Sequence, residues 1–280
     1  MACMDYSVLM SVYHKERPEF LRQAMESIAT QTVPTNDFVL VCDGPLNEQL
    51  DEVIAQMQNA FGQLLHVVRL EKNMGLGNAL NIGIQHCKND LVARMDSDDI
   101  SRPDRCERQL KIFEERPELD ICSGTVEEFT VQPQDVENKR VVPRTHEEIL
   151  KFAQKRNPFN HPCVMYRKSA VLAAGSYQDF YLLEDYYLWI RMLLNGSVGY
   201  NVQESLLWMR AGSDMYKRRS GWRYARSQYK LFWFMETENF ISKVSCICSC
   251  VSRMLAALLP NFLRKNMYAV ALRRNSKEEQ

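Results

Sequence analysis

With 280 residues, 46% of them hydrophobic and 25% charged, the chain can bury a sizeable core and is too apolar to be intrinsically disordered. Its formal net charge is zero, but residues 215–280 hold 13 Lys and Arg against 4 Asp and Glu, while the residues before them hold 22 against 31. A basic tail could face phosphate, nucleic acid or an anionic membrane, whereas the acidic body argues against nucleic acid as a partner of the whole chain.

Residues 6–12 are apolar enough for a buried strand. Pro18 then sits where a first helical turn begins, and Phe20, Leu21, Ala24, Met25 and Ile28 repeat at helical spacing. A second strand, residues 38–42, stops at Asp43-Gly44-Pro45, and Leu50, Val53, Ile54 and Met57 mark the helix that follows. The third unit runs from residues 65–70 through a loop with Gly75 and Gly77 into a helix bearing Ala79, Leu80, Ile82 and Ile84. A fourth strand, Leu91-Val92-Ala93, feeds Arg94-Met95-Asp96-Ser97-Asp98-Asp99, and Pro103 opens another helical pattern.

Alternating strands and helices predict a mostly parallel sheet with right-handed crossovers, and such sheets bind ligands at the carboxyl ends of their strands. Asp43 and Asp96 to Asp99 all fall just past strand ends, so topology puts them on one rim. Carboxylates crowded into four positions repel one another and are most easily tolerated around a hard divalent cation. The plainer reading is a solvated turn in which Asp99 or Ser101 caps the next helix; the shared rim favours the cation. The glycine loop lacks the third Gly of a dinucleotide fingerprint, and no GxxxxGK[ST] occurs.

Beyond residue 119 the alternation weakens. Residues 126–131 read as a strand, and Thr145 with Glu148 forms a capping box for a helix through Ala153. Two prolines hold a loop around His161, ahead of a short strand. A helix over 183–194 opens with Glu184 and Asp185, which either complement its dipole or do chemistry. The nine cysteines show no framework spacing and no secretion signal precedes them, so reduced thiols in a cytosolic protein are expected. Cys246, Cys248 and Cys250 lack a neighbouring His or second CxxC and read as core or interface thiols. Residues 240–260 are apolar but interrupted by Lys243 and Arg253: too broken for a membrane span, they suit an interfacial helix or one packed on the body.

A metal that binds a diphosphate would suit a sugar nucleotide, whose leaving group is already attached, and one carboxylate base near the anomeric carbon then suffices for an inverting transfer. The ordered set Ser7-Val8-Leu9-Met10-Ser11-Val12-Tyr13, residues 27–32 (SIATQT), 39–45 (VLVCDGP), 73–83 (NMGLGNALNIG), 94–105 (RMDSDDISRPDR), Asn160-His161-Pro162 and 184–189 (EDYYLW) resembles the family 2 glycosyltransferases. The likeness is to bacterial members that build O-antigen or exopolysaccharide, the amylovoran type among them, and covers residues 6 to about 220.

That resemblance implies an α/β GT-A fold: a mostly parallel nucleotide-binding sheet flanked by helices, with a helical C-terminal extension. The glycosyltransferase domain would span 1–214, its nucleotide-sugar half about 1–118 and its acceptor half about 119–214, with 215–280 a basic amphipathic helical region. It implies an inverting, metal-dependent transfer of one hexose or N-acetylhexosamine from a nucleotide sugar, most often UDP-linked, with Mn²⁺ or Mg²⁺ as cofactor. Carried over by position, Tyr13 and Asp43 would hold base and ribose, and Asp96 and Asp98 the DxD. Asp98 would ligate the metal, Asp96 would lie near both ribose and metal, and Asp185 would be the catalytic base. His161 and Arg219 match recurrent positions with diphosphate, acceptor or supporting roles. The acceptor would be a lipid diphosphate-linked saccharide, with the enzyme peripheral on the inner face of the cytoplasmic membrane. Cys42, where many members carry Asp, and Leu80, where Arg is frequent, depart from the pattern. A non-catalytic carbohydrate-binding or scaffold protein, or a nucleotidyltransferase, are the competing readings.

Overall fold

The computed structural model describes residues 4–211 and 221–258. Its first half follows the expected alternation: β1 (Tyr6–Val12), α1 (Pro18–Ala29), β2 (Asp37–Cys42), α2 (Glu48–Phe61), β3 (Leu65–Arg69), α3 (Leu76–His86) and β4 (Leu91–Asp96). β2 is buried at every position, as a strand covered on both faces must be. Pro18 opens α1, where a missing N–H costs nothing, and Leu21, Ala24, Met25 and Ile28 turn inward. These strands lie in the order β3-β2-β1-β4, all parallel.

The second half is mixed. It comprises β5 (Ile100–Ser101), α4 (Arg105–Glu115), β6 (Leu119–Phe129), β7 (Val136–Arg140), α5 (His146–Ala153), β8 (Met165–Arg167), α6 (Lys168–Ala173), α7 (Glu184–Leu194) and β9 (Val198–Arg210). The short β8 runs antiparallel between β4 and β6, while β6 and β9 pair in parallel, so one nine-stranded sheet carries the core. The capping box predicted at Thr145 and Glu148 is present in both of its bonds. The strand expected over 126–131 instead begins at Leu119 and ends at Phe129, leaving Val131 exposed.

Among the described residues, one compact unit comprises 4–179 and 184–211, and a second comprises 180–183 and 221–258. The second contains α8 (Gly221–Thr237) and α9 (Lys243–Leu258), linked by a turn in which Asn239 takes φ 58°. Leu231, Phe232 and Met235 are buried in it, Cys246 Sγ lies 3.4 Å from the Phe232 carbonyl oxygen, and the Arg253 guanidinium stacks 5.1 Å from the Phe232 ring centroid. No helix of the described residues is long and apolar enough to cross a membrane.

Candidate active site

Strand register gathers the predicted residues on one rim. Ser11 pairs with Asp96 and Val12 with Cys42, so β1, β2 and β4 end level with one another. The Asp43 N–H donates to the Val12 carbonyl at 2.8 Å, continuing the ladder by one residue. The Asp43 carboxylate is buried and accepts at both oxygens, from the Met74 N–H at 2.6 Å and the Gly75 N–H at 3.0 Å. It therefore fixes the loop before α3, and any nucleotide contact would use its remaining lone pairs. Gly44 permits this approach: at φ 88°, a Cβ there would lie 2.6 Å from the Asn73 amide nitrogen. Tyr13 follows β1 and is half-buried.

The acidic loop is a true cluster. Carboxylate oxygens of Asp96, Asp98 and Asp99 lie within 4.8 Å of one another, the only such group of possible metal ligands among the described residues. Each is held differently. Asp96 is ion-paired with Arg94, whose own side chain is fully buried. Asp99 accepts from the Arg210 N–H at 2.8 Å, and the Arg210 guanidinium donates to the Asp98 carbonyl at 3.0 Å while stacking on Phe20. Ser97 donates to Glu16 Oε2 at 2.8 Å, which brings a fourth carboxylate to the loop.

Burial, then the charges of Asp96 and Glu16, push the Asp98 carboxyl up to about 7. Burial and the charges of Asp98 and Asp96 push Asp99 well above the usual carboxylate range. Asp99 Oδ2 is buried with no hydrogen-bond partner. Crowded oxygen donors, raised proton affinity and an unpartnered buried oxygen are what a hard divalent cation satisfies, so these residues fit one.

Glu184 and Asp185 open α7. Burial, then the Asp185 charge, raises the Glu184 carboxyl to about 7. Asp185 Oδ2 accepts from Asn157 Nδ2 at 2.6 Å, so the Asn-Pro loop orients it. Gly77 allows α3 to come this close: a Cβ there would sit 2.7 Å from the Gln178 carbonyl oxygen and 3.2 Å from Glu184 Cβ. His161 belongs to the core beneath. It is buried, its Nε2 lies 3.0 Å from the Tyr177 hydroxyl, and burial with the nearby Arg94 charge lowers its pKa well below the ordinary value, which keeps the ring neutral. Arg219 lies outside the described residues.

Four residues of this neighbourhood were not singled out as site residues by the sequence: Glu16, Arg94, Asn157 and Arg210. Only Arg94, a lone cation in an apolar strand beside the acidic run, offered a hint.

The Glycosyl transferase family 2 model matches residues 7–175. An uncharacterized glycosyltransferase of Haemophilus influenzae is 41% identical, covering 97% of this chain and all of its own length. The amylovoran biosynthesis glycosyltransferase AmsE of Erwinia amylovora is 43% identical over 81% of this chain and 84% of its own. An Escherichia coli UDP-Gal:alpha-D-GlcNAc-diphosphoundecaprenol beta-1,3-galactosyltransferase is 39% identical over 96% and 97%. Among solved structures, S. aureus TarS with UDP-GlcNAc superposes with a TM-score of 0.67 at 16% identity, covering 91% of this chain and 74% of that one, a likeness of fold. A family model spanning more than half of the residues, with relatives near 40% identity along nearly the whole length, makes this chain a member of the family 2 glycosyltransferases, built on the GT-A fold.

Proposed function

We propose that the protein is an inverting, metal-dependent glycosyltransferase that moves one hexose or N-acetylhexosamine from a UDP-sugar to a lipid diphosphate-linked saccharide. The observation that carries this reading is the cluster of three carboxylates at the carboxyl end of β4, level with the ends of β1 and β2. Asp96 and Asp98 are assigned to hold a divalent cation, Mn²⁺ or Mg²⁺, whose chemistry is neutralisation of the departing diphosphate. Asp99 is tied back to Arg210 and fixes the loop's shape. Tyr13 and the loop clamped by Asp43 are assigned to the base and ribose.

Asp185 is assigned as the base that takes the proton from the acceptor hydroxyl, with Asn157 keeping its carboxylate in one orientation. Attack from the face opposite the leaving group inverts the anomeric centre, so an α-linked donor gives a β-linked product. Arg94 pairs with Asp96, and its charge also offsets part of the rise that burial and Asp185 impose on the Glu184 carboxyl. The acceptor class is supported by the E. coli relative, whose name specifies galactose transfer from UDP-Gal to a GlcNAc-diphospholipid, and the pathway class by the amylovoran relative. Such an acceptor places the reaction at the inner face of the cytoplasmic membrane, with the enzyme attached peripherally.

The test is a transfer assay with UDP-galactose, UDP-glucose and their N-acetyl forms on a synthetic GlcNAc-diphospholipid with a short, water-soluble tail. Thermal shifts with UDP, GDP, CMP and dTDP, each in Mn²⁺ and in EDTA, run beside it. UDP-dependent stabilisation that vanishes in EDTA, with one UDP-sugar consumed, supports the reading. Stabilisation by another nucleotide, or transfer undiminished in EDTA, overturns the donor or the metal.

A further inference from the structure

The helical unit over 221–258 keeps a surface that its own packing does not use. α8 buries Leu231, Phe232 and Met235, yet Trp222, Tyr229 and Trp233 stay exposed, the two tryptophans at 65% and 54%. Separations of seven and four residues line these three rings along one stripe of the helix. Tyr229 and Trp233 pack edge to face with centroids 5.4 Å apart, so the stripe is a joined aromatic surface. On α9, Val244, Ile247 and Val251 recur at helical spacing and are likewise exposed, Val244 at 72%.

Charge says what covers these faces. Arg226 and Lys230 are exposed beside the aromatic stripe and Lys243 beside the aliphatic one. Residues 221–258 carry five Lys and Arg, and their only acids are Glu236 and Glu238. Trp and Tyr pair an apolar ring with a polar tip and settle at the headgroup level of a bilayer, while clustered cations are drawn to anionic lipid. A second copy of the same face would set Arg226, Lys230 and Lys243 against their like, which opposes self-association.

We infer that the exposed faces of α8 and α9 dock on an anionic phospholipid bilayer through Trp222, Tyr229, Trp233, Val244, Ile247 and Val251, with Arg226, Lys230 and Lys243 meeting lipid phosphates. Docking brings the enzyme to the surface that presents a lipid-linked acceptor, so its purpose, though not its geometry, rests on the proposed acceptor class.

The full chain is floated with vesicles of phosphatidylcholine alone and of phosphatidylcholine with phosphatidylglycerol, at low and high salt, while tryptophan emission is recorded. The expected result is binding that needs phosphatidylglycerol, weakens with salt and blue-shifts the emission. Trp222→Ser with Trp233→Ser removes both binding and shift, and Arg226→Gln and Lys230→Gln each weaken partition about fivefold. All these variants keep wild-type transfer to the short-tailed, water-soluble acceptor. The inference fails if wild-type protein ignores phosphatidylglycerol vesicles or if the double tryptophan variant binds like wild type. It also fails if sedimentation velocity finds a dimer that this variant abolishes, because a second copy would then be the occupant. Loss of transfer by wild-type protein in solution would overturn the enzymatic reading and leave the vesicle result standing.

Discussion

Replacing Asp98 by Asn stabilises the metal-free protein at pH 8 and weakens its response to Mn²⁺. Burial and the charges of Asp96 and Glu16 raise the Asp98 carboxyl from 3.8 to about 7. Between those values the folded state binds the proton and the unfolded state does not, so stability falls as pH rises through the window and is lowest above the folded value. Three pH units at 1.36 kcal/mol each make about 4 kcal/mol, which solvent screening at this half-buried side chain reduces to about 2. Asparagine keeps the shape without the charge, so the variant gains that amount at pH 8 and little below about pH 4, where the wild-type carboxyl is protonated in the folded and the unfolded state alike. Urea unfolding in EDTA at several pH values measures it. In the wild type, Mn²⁺ recovers the lost stability at pH 8, because a cation replaces the proton; in the variant it recovers much less. Wild-type stability that stays flat between pH 5 and 8 in EDTA, or a variant no more stable at pH 8, would refute the picture of three like charges held close around an ion site.

Asp185→Asn lowers kcat by roughly 10²- to 10⁴-fold with UDP affinity unchanged, as loss of a base does; a comparable loss from Glu184→Gln alone would move the role to its neighbour. Gly77→Ala costs about 1–3 kcal/mol in urea unfolding, because a Cβ 2.7 Å from the Gln178 carbonyl oxygen outweighs alanine's helix propensity; a more stable variant would contradict the close approach of α3. Asp43→Asn costs about 1–3 kcal/mol, since the amide offers one acceptor where Met74 and Gly75 present two N–H groups; an unchanged urea midpoint would show that the loop is held by other means.

The elements legible in the sequence are those whose signal is local. β1, α1 and β2 follow from apolar runs and from Pro18, and the α5 cap from Thr145 and Glu148 three residues apart. β9 was not legible. Asn201, Gln203, Glu204 and Ser205 interrupt its apolar pattern, and the register shifts against β6 at Gly124 and Thr125 break the twofold alternation on which a strand reading depends. β7, with sequence VENKR and mostly exposed, carries no hydrophobic signature at all.

The candidate site divides along the same line. By itself the sequence determined that Asp43, Asp96 and Asp98 lie at strand ends, because chain alternation fixes a parallel sheet and its carboxyl rim, and that Glu184 and Asp185 open a helix. Tertiary structure alone decided how each carboxylate is held: Asp99 by Arg210, 111 residues away, Glu16 by Ser97, 81 away, and Asp185 by Asn157, 28 away. It also decided that Asp43 spends both oxygens on a loop and that His161 is buried against Tyr177. Periodicity reports which face of an element is buried, whereas a hydrogen bond between distant residues depends on the closure of the whole sheet, which no local pattern encodes.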